Sequence, residues 1–218
     1  MKQTVRIIIA LCLPLLLCGQ VQAQHTGPYI GALCGWNALM DAKSSDNLGD
    51  FGLAFKPGIQ GSAILGWDFE PNNPIGEGRI EIEYSRRGNL LNQMKFSEGS
   101  FKGSGSITAD SLLLNFFGAA RDNRRWSPYA GAGIGVARIE ASDLRVAGQP
   151  LSTGNDSVFV FAYQLGGGFD VALTDQLSLD LGYRFFSSAR PKFTETNGRK
   201  FEMDYFNHSA VVGLRFGF

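Results

Sequence analysis

The chain has 218 residues, 20 basic and 20 acidic side chains, a formal net charge of zero, 28 glycines and 3 cysteines. That balance excludes a nucleic-acid binder, which needs a basic surface to meet phosphates. Mean hydropathy is near neutral, and no apolar run reaches the roughly 20 residues required by a membrane-spanning helix.

At the amino terminus, Lys2 and Arg6 precede an apolar stretch, Ile7 to Leu17, interrupted by Pro14. Val21-Gln22-Ala23 then supplies the small residues of a cleavage site, the pattern of a secretory signal peptide. Residues 1–23 are therefore predicted to be a signal peptide, and 24–218 one domain. Cys12 and Cys18 leave with the signal, so Cys34 stands alone, with no partner for a disulfide or a zinc site. The mature chain keeps 18 basic and 20 acidic residues, and its sequence implies no metal or other cofactor.

Eight segments then alternate at period two, the period of a strand. The first, near 28–40, sets Ile30, Ala32, Cys34 and Trp36 against Gly31, Gly35 and Asn37. The second, near 59–69, sets Ala63, Leu65, Trp67 and Phe69 against Gln60, Ser62, Gly66 and Asp68. In the third, near 78–87, Ile80, Ile82 and Tyr84 alternate with Arg79, Glu81, Glu83 and Ser85. The fourth (106–118) opposes Leu112, Leu114 and Phe116 to Ser111 and Asn115, and the fifth (128–139) opposes Ile134 and Val136 to three glycines. The sixth (157–171) opposes Phe159, Phe161, Tyr163 and Leu165 to Gln164, Gly166, Gly168 and Asp170. The seventh (177–187) opposes Leu177, Leu179, Leu181 and Tyr183 to Ser178, Asp180 and Arg184. In the eighth (208–218), Ala210, Val212, Leu214, Phe216 and Phe218 face away from Ser209, Gly213, Arg215 and Gly217. Leu33, Ile64, Leu113, Phe117, Phe186 and Val211 are expected to break the pattern by facing inward.

An apolar outside and a small or charged inside is the requirement of a transmembrane β-barrel. A soluble lipid-binding barrel has the inverse pattern. The predicted fold is an all-β, eight-stranded, antiparallel up-and-down transmembrane barrel. Long polar connectors near 41–58, 88–105, 140–156 and 188–204 are expected to be extracellular loops, and shorter ones near 70–77, 119–127 and 172–176 periplasmic turns. Trp36, Trp67, Tyr29, Tyr129 and Tyr183 fall near strand ends, where aromatic girdles sit.

Arg79, Glu81, Glu83, Arg87, Asp180, Arg184 and Arg215 share the lumen face. The expected role is an ion-pair network that fills the barrel, because an isolated buried ion is very costly. Removing Glu81 or Glu83 alone would then leave a buried arginine unpaired. An ion path is a weaker reading, since eight strands enclose a space that side chains just fill. The glycines of Gly131-Ala-Gly-Ile-Gly135 and Gly166-Gly-Gly168 continue inside strands, unlike a dinucleotide fingerprint, which opens a helix. His208 and Ser209 are the one nucleophile–base hint, but adjacent strand residues face opposite sides.

Pro128-Tyr-Ala-Gly-Ala-Gly-Ile-Gly135, Phe161-Ala-Tyr-Gln-Leu-Gly-Gly-Gly-Phe-Asp170, Leu177-Ser-Leu-Asp-Leu-Gly-Tyr-Arg184 and Pro28-Tyr-Ile-Gly-Ala-Leu-Cys-Gly-Trp36 resemble the small outer-membrane β-barrel family of opacity-type and surface-antigen proteins. The final strand, with Phe216 and Phe218, resembles the carboxy-terminal sorting signal of outer-membrane proteins. The resemblance implies an outer-membrane location, partnership with periplasmic chaperones and the barrel-assembly machinery, and contact with outer-membrane lipid and lipopolysaccharide. It carries no shared catalytic residue; function in such a family is grafted on through variable loops. The expected function is thus a non-enzymatic surface protein displaying four loops for adhesion, host-factor binding or envelope integrity. The alternatives are a small porin-like channel and, behind it, a lipid-modifying enzyme. Arg190, Lys192, Arg199 and Lys200 in the last connector are the candidate contacts to an acidic extracellular ligand of unknown identity.

Overall fold

The structure, a computed structural model, describes residues 26–46, 49–69, 77–96, 99–121, 125–150, 156–194, 198 and 200–218. The predicted signal peptide lies outside the described residues. Among the described residues there are thirteen strands: β1 (Gly27–Leu39), β2 (Ala42–Asp46), β3 (Gly49–Phe55), β4 (Gly58–Asp68), β5 (Gly78–Phe96), β6 (Gly99–Ala119), β7 (Trp126–Val146), β8 (Gln149–Pro150), β9 (Asp156–Ala172), β10 (Leu177–Ser188), β11 (Lys192–Thr194), β12 (Lys200–Met203) and β13 (Phe206–Gly217).

Eight of them close a ring in the order β1-β4-β5-β6-β7-β9-β10-β13, every neighbour antiparallel and β13 pairing back onto β1. Closure removes the unpaired strand edges that lipid cannot hydrogen-bond. The alternation sorts side chains across the wall. Ile30, Trp36, Leu65, Trp67, Ile82, Leu114, Ile134, Phe161, Leu181 and Leu214 are exposed on the outside. Leu33, Ile64, Leu113, Phe117, Phe186 and Val211 are buried inside.

The four long connectors are not loops. β5 and β6 run on as one hairpin, paired from Gly78↔Gly118 to Phe96↔Gly99. β7 extends to Val146 and turns back through β8, with Ala147 and Gly148 at positive φ. Connector 41–58 contains the hairpin β2–β3, which pairs onto β5, and connector 188–204 contains β11–β12, which pairs onto β2. β11 in turn lies beside β9, where the Thr194 backbone N–H donates to the Asp156 carboxylate at 2.7 Å. Above the lipid band, β2, β3, β11 and β12 thus take the places of β1, β4, β10 and β13, and the extended β5, β6, β7 and β9 complete the wall.

This upper tier encloses its own apolar core. Leu53, Leu91, Met94, Ile107, Ile139, Leu144, Phe193, Phe201, Met203 and Tyr205 are all buried in it. The core continues downward without a break to Leu113, Ala162 and Phe186 inside the barrel. The connectors read as loops because their outer faces are polar. Their inner apolar residues are spaced for a strand that faces a second layer, and the sequence does not reveal that layer.

Trp36 and Trp67 lie exposed near opposite ends of the wall, as a girdle requires. Tyr29 and Tyr129 depart from the girdle expectation: both are buried in the lumen. Glycines on nearby strands make room for them. A Cβ at Gly66 would lie 2.2 Å from the Tyr29 ring, and one at Gly182 would lie 2.5 Å from the Tyr129 hydroxyl.

Candidate functional site

The lumen is layered. Its periplasmic layer is charged. Arg79 rises from β5 at the centre, with Nε at 2.6 Å from Glu81, Nη1 at 2.5 Å from Asp170 and Nη2 at 3.3 Å from Asp180. Arg215 on β13 shares Asp170 at 2.7 Å and reaches Asp68 at 3.4 Å. Arg121, just beyond β6, closes the layer against Asp68. Tyr29 donates to Glu81 at 2.6 Å and Tyr129 to Asp180 at 2.6 Å, so the two inward tyrosines act as hydrogen-bond donors to the network. Their rings also face guanidiniums, with the Arg79 carbon 4.1 Å from the Tyr129 centroid and that of Arg215 5.0 Å from Tyr29.

The middle layer is built differently. Glu83 accepts hydrogen bonds from Ser85 at 2.6 Å, Asn115 at 2.8 Å and Gln164 at 2.9 Å. Arg87 donates to Ser111 and to the Gln164 carbonyl, both at 2.9 Å, and lies over the Phe186 ring. Arg184 donates to the Tyr129 hydroxyl at 3.0 Å. No ion pair joins Glu83 to an arginine among the described residues. Neutral amides and a hydroxyl make the hydrogen bonds of Glu83, while the buried Arg87 and Arg184 are the cations whose charge acts on it. The expectation that loss of Glu81 would leave an arginine unpaired fails, since Arg79 keeps Asp170 and Asp180.

Above the middle layer the lumen is apolar on the side of β6, β7, β9 and β10, where it merges with the upper core, while Asn207 donates to Asn37 and Asn89 on the side of β13, β1 and β5. The charges thus lie in the periplasmic and middle layers; in the periplasmic one Asp68, Asp170 and Arg215 retain slight exposure while Arg79, Glu81 and Asp180 have almost none. Asp68, Asp170 and Arg121 join the network without having been singled out from the sequence. For the two aspartates the available signal was their shared parity with Arg79 and Asp180; Arg121 lies beyond a strand end, where parity says nothing.

Arg190 pairs with Asp204 at 2.8 Å and Lys192 with Glu202 at 2.5 Å, both within the β11–β12 hairpin region. The hydrogen bond and charge of Lys192 hold the Glu202 carboxyl below its ordinary value. Lys200 begins β12 and is exposed, while Arg199 lies outside the described residues. His208 does not meet Ser209. Its ring contacts the Tyr183 hydroxyl on the outer wall, whereas Ser209 is buried inside and donates to Asn207 at 3.0 Å. Phe216 and Phe218 stack edge to face at the end of β13, centroids 5.6 Å apart, and the Phe218 N–H donates to Pro28.

No curated protein sequence matches the chain. Among solved structures it is similar to Neisserial surface protein A (NspA), at 18% identity, covering 88% of this chain and 98% of that one, with a TM-score of 0.54. It is also similar to the outer membrane protein OprG from Pseudomonas aeruginosa, at 14% identity, covering 91% and 100%, with a TM-score of 0.57. At these identities the likeness is one of fold. The model of the outer membrane protein beta-barrel domain matches residues 8–217, and the chain belongs to this family of outer-membrane barrels.

Proposed function

We propose that the protein is a non-enzymatic outer-membrane barrel whose working surface is the upper tier formed by β2–β3, β11–β12 and the extended ends of β5, β6, β7 and β9. The observation that supports this reading is the continuous apolar core running from Phe186 and Leu113 in the barrel to Phe201 and Met203 in the tier. A core of that kind fixes the tier rigidly on the membrane, and it puts an apolar plug above the charged layers of the lumen. A rigid tier presents one surface, which lowers the ordering cost of binding an extracellular partner. The small-channel alternative draws its support from the charged periplasmic layer alone.

Two measurements test the reading. In planar bilayers the folded protein should give no stepwise conductance; discrete channel openings would favour the pore. Replacing β2–β3 or β11–β12 by a short Gly-Ser turn should leave a heat-modifiable barrel and abolish cell-surface binding. A shortened barrel that retains every binding phenotype would shift function to the wall or lumen. Removal of residues 1–23 before assembly, recognition of Phe216 and Phe218 by the assembly machinery, and engagement of an acidic ligand by Lys200 belong to the same proposal. Amino-terminal sequencing of the outer-membrane form tests the first of these.

A further inference from the structure

On the outer wall, β5, β6 and β7 change character in step. Tyr84, Leu112 and Val136 are cross-strand neighbours and all exposed. Two residues further toward the extracellular side, the corresponding row reads Arg86, Asp110 and Arg138. The outward faces of β1, β4 and β9 carry Trp36, Ile59 and Phe159 toward their own extracellular ends. Among the described residues of the ring strands, β5 and β7 place guanidiniums on the lipid side of the wall, toward the extracellular end of the apolar band, with Phe159 beside Arg138.

The charges in this patch are unequally presented. The Arg86 and Arg138 side chains are 64% and 45% exposed, against 18% for Asp110 and 24% for Glu140, so the acids sit behind the cations. Asp110 accepts from the Tyr84 hydroxyl at 2.7 Å and, through both oxygens, from Arg86 Nη1 at 3.1 Å. Arg138 meets Glu140 through Nη2 at 2.9 Å. A guanidinium carries five N–H donors in a planar fork, so each arginine keeps donors beyond those it spends on its acid. Opposite strands two places apart lie about 10 Å from one another, enough for two headgroups or one large one.

Just above an apolar band, the surrounding medium is a layer of lipid headgroups. A fork of N–H donors there matches phosphate oxygens in both charge and shape. We propose that Arg86 and Arg138 form a binding patch for the phosphate of an anionic outer-leaflet lipid, with Asp110 and Glu140 orienting the two forks. The patch is a site for a membrane lipid on the barrel wall and is separate from the extracellular tier.

Spin-labelled lipids test this directly. The protein is folded into phosphatidylcholine vesicles carrying spin-labelled phosphatidic acid or spin-labelled phosphatidylcholine, and the relative association of each label is read from the immobilised fraction of the spectrum. Wild type should prefer phosphatidic acid, and each of R86Q and R138Q should lower that preference about fivefold, as expected for one cation at an anionic surface. K102Q/R145Q, which removes two cations higher on the tier, should leave it unchanged. R86K/R138K keeps the charge and loses the fork, so an intermediate preference is expected, and it serves should R86Q/R138Q fail to show heat-modifiable folding. No preference in wild type, full retention in R86Q/R138Q, or an equal loss in K102Q/R145Q would overturn the proposal. So would displacement by inorganic phosphate at the same concentration as the lipid, which would make the ligand a free anion.

Discussion

Asp170 serves two guanidiniums, Arg79 and Arg215, that each keep another carboxylate, whereas Glu83 one layer above accepts from neutral donors and is the carboxylate whose charge acts on the buried Arg87. Two carboxylates on one lumen face should therefore respond differently to neutralisation. Asp170→Asn leaves Arg79 with Glu81 and Asp180 and Arg215 with Asp68, and is expected to cost about 1–3 kcal/mol. Glu83→Gln removes the carboxylate charge that acts on the buried Arg87 and is expected to cost about 3–5 kcal/mol. Urea unfolding of both variants in lipid vesicles provides the comparison. A larger loss for Asp170→Asn would mean that the periplasmic ion network, not the Glu83–Arg87 layer, stabilises the lumen. The sequence made the lumen face of each charge legible, because parity assigns a side of the wall. Which carboxylate meets which arginine was not legible, because partners such as Arg79 and Asp180 lie 101 positions apart and meet only across the closed barrel.

Among elements, the β11–β12 hairpin region carries solvent-facing, paired charges, Lys192 with Glu202 and Arg190 with Asp204. Lys192 lowers the Glu202 carboxyl in the folded hairpin. A depressed folded value contributes stability above the unfolded carboxylate range and loses it as pH falls through the folded value. The hairpin should accordingly be protease-resistant at neutral pH and become susceptible in acid below the ordinary carboxylate range, while the barrel stays intact. Limited proteolysis across pH checks this, and K192Q should remove the pH dependence by raising susceptibility at neutral pH. An acid-insensitive hairpin would show that apolar packing of Phe193 and Phe201 alone holds it. Those two rings, 5.5 Å apart and fully buried, explain why a polar connector folds at all. Their contribution was invisible in the sequence because two isolated phenylalanines in a charged segment do not declare a period.

For the whole molecule, β13 closes the ring onto β1 from Tyr29↔Gly217 to Leu39↔Asn207, so the last strand completes every other pairing. Phe218 lies just past that ladder and is largely exposed, which gives its ring little part in the finished wall. Deleting Phe218 should thus reduce the amount of heat-modifiable protein reaching the outer membrane while leaving the unfolding midpoint of the assembled fraction unchanged. An equal fall in both would make Phe218 a stabilising strand residue. By itself, the sequence determined the eight-strand count, the inward and outward faces and the membrane setting. Each of these follows from local alternation in a two-sided wall whose outer solvent is lipid. Only the tertiary structure decided that the connectors form a second tier, that Tyr29 and Tyr129 turn inward, and at which height each lumen charge finds its partners. These depend on contacts between strands far apart in the chain, where parity gives the side of the wall but neither the height nor the partner.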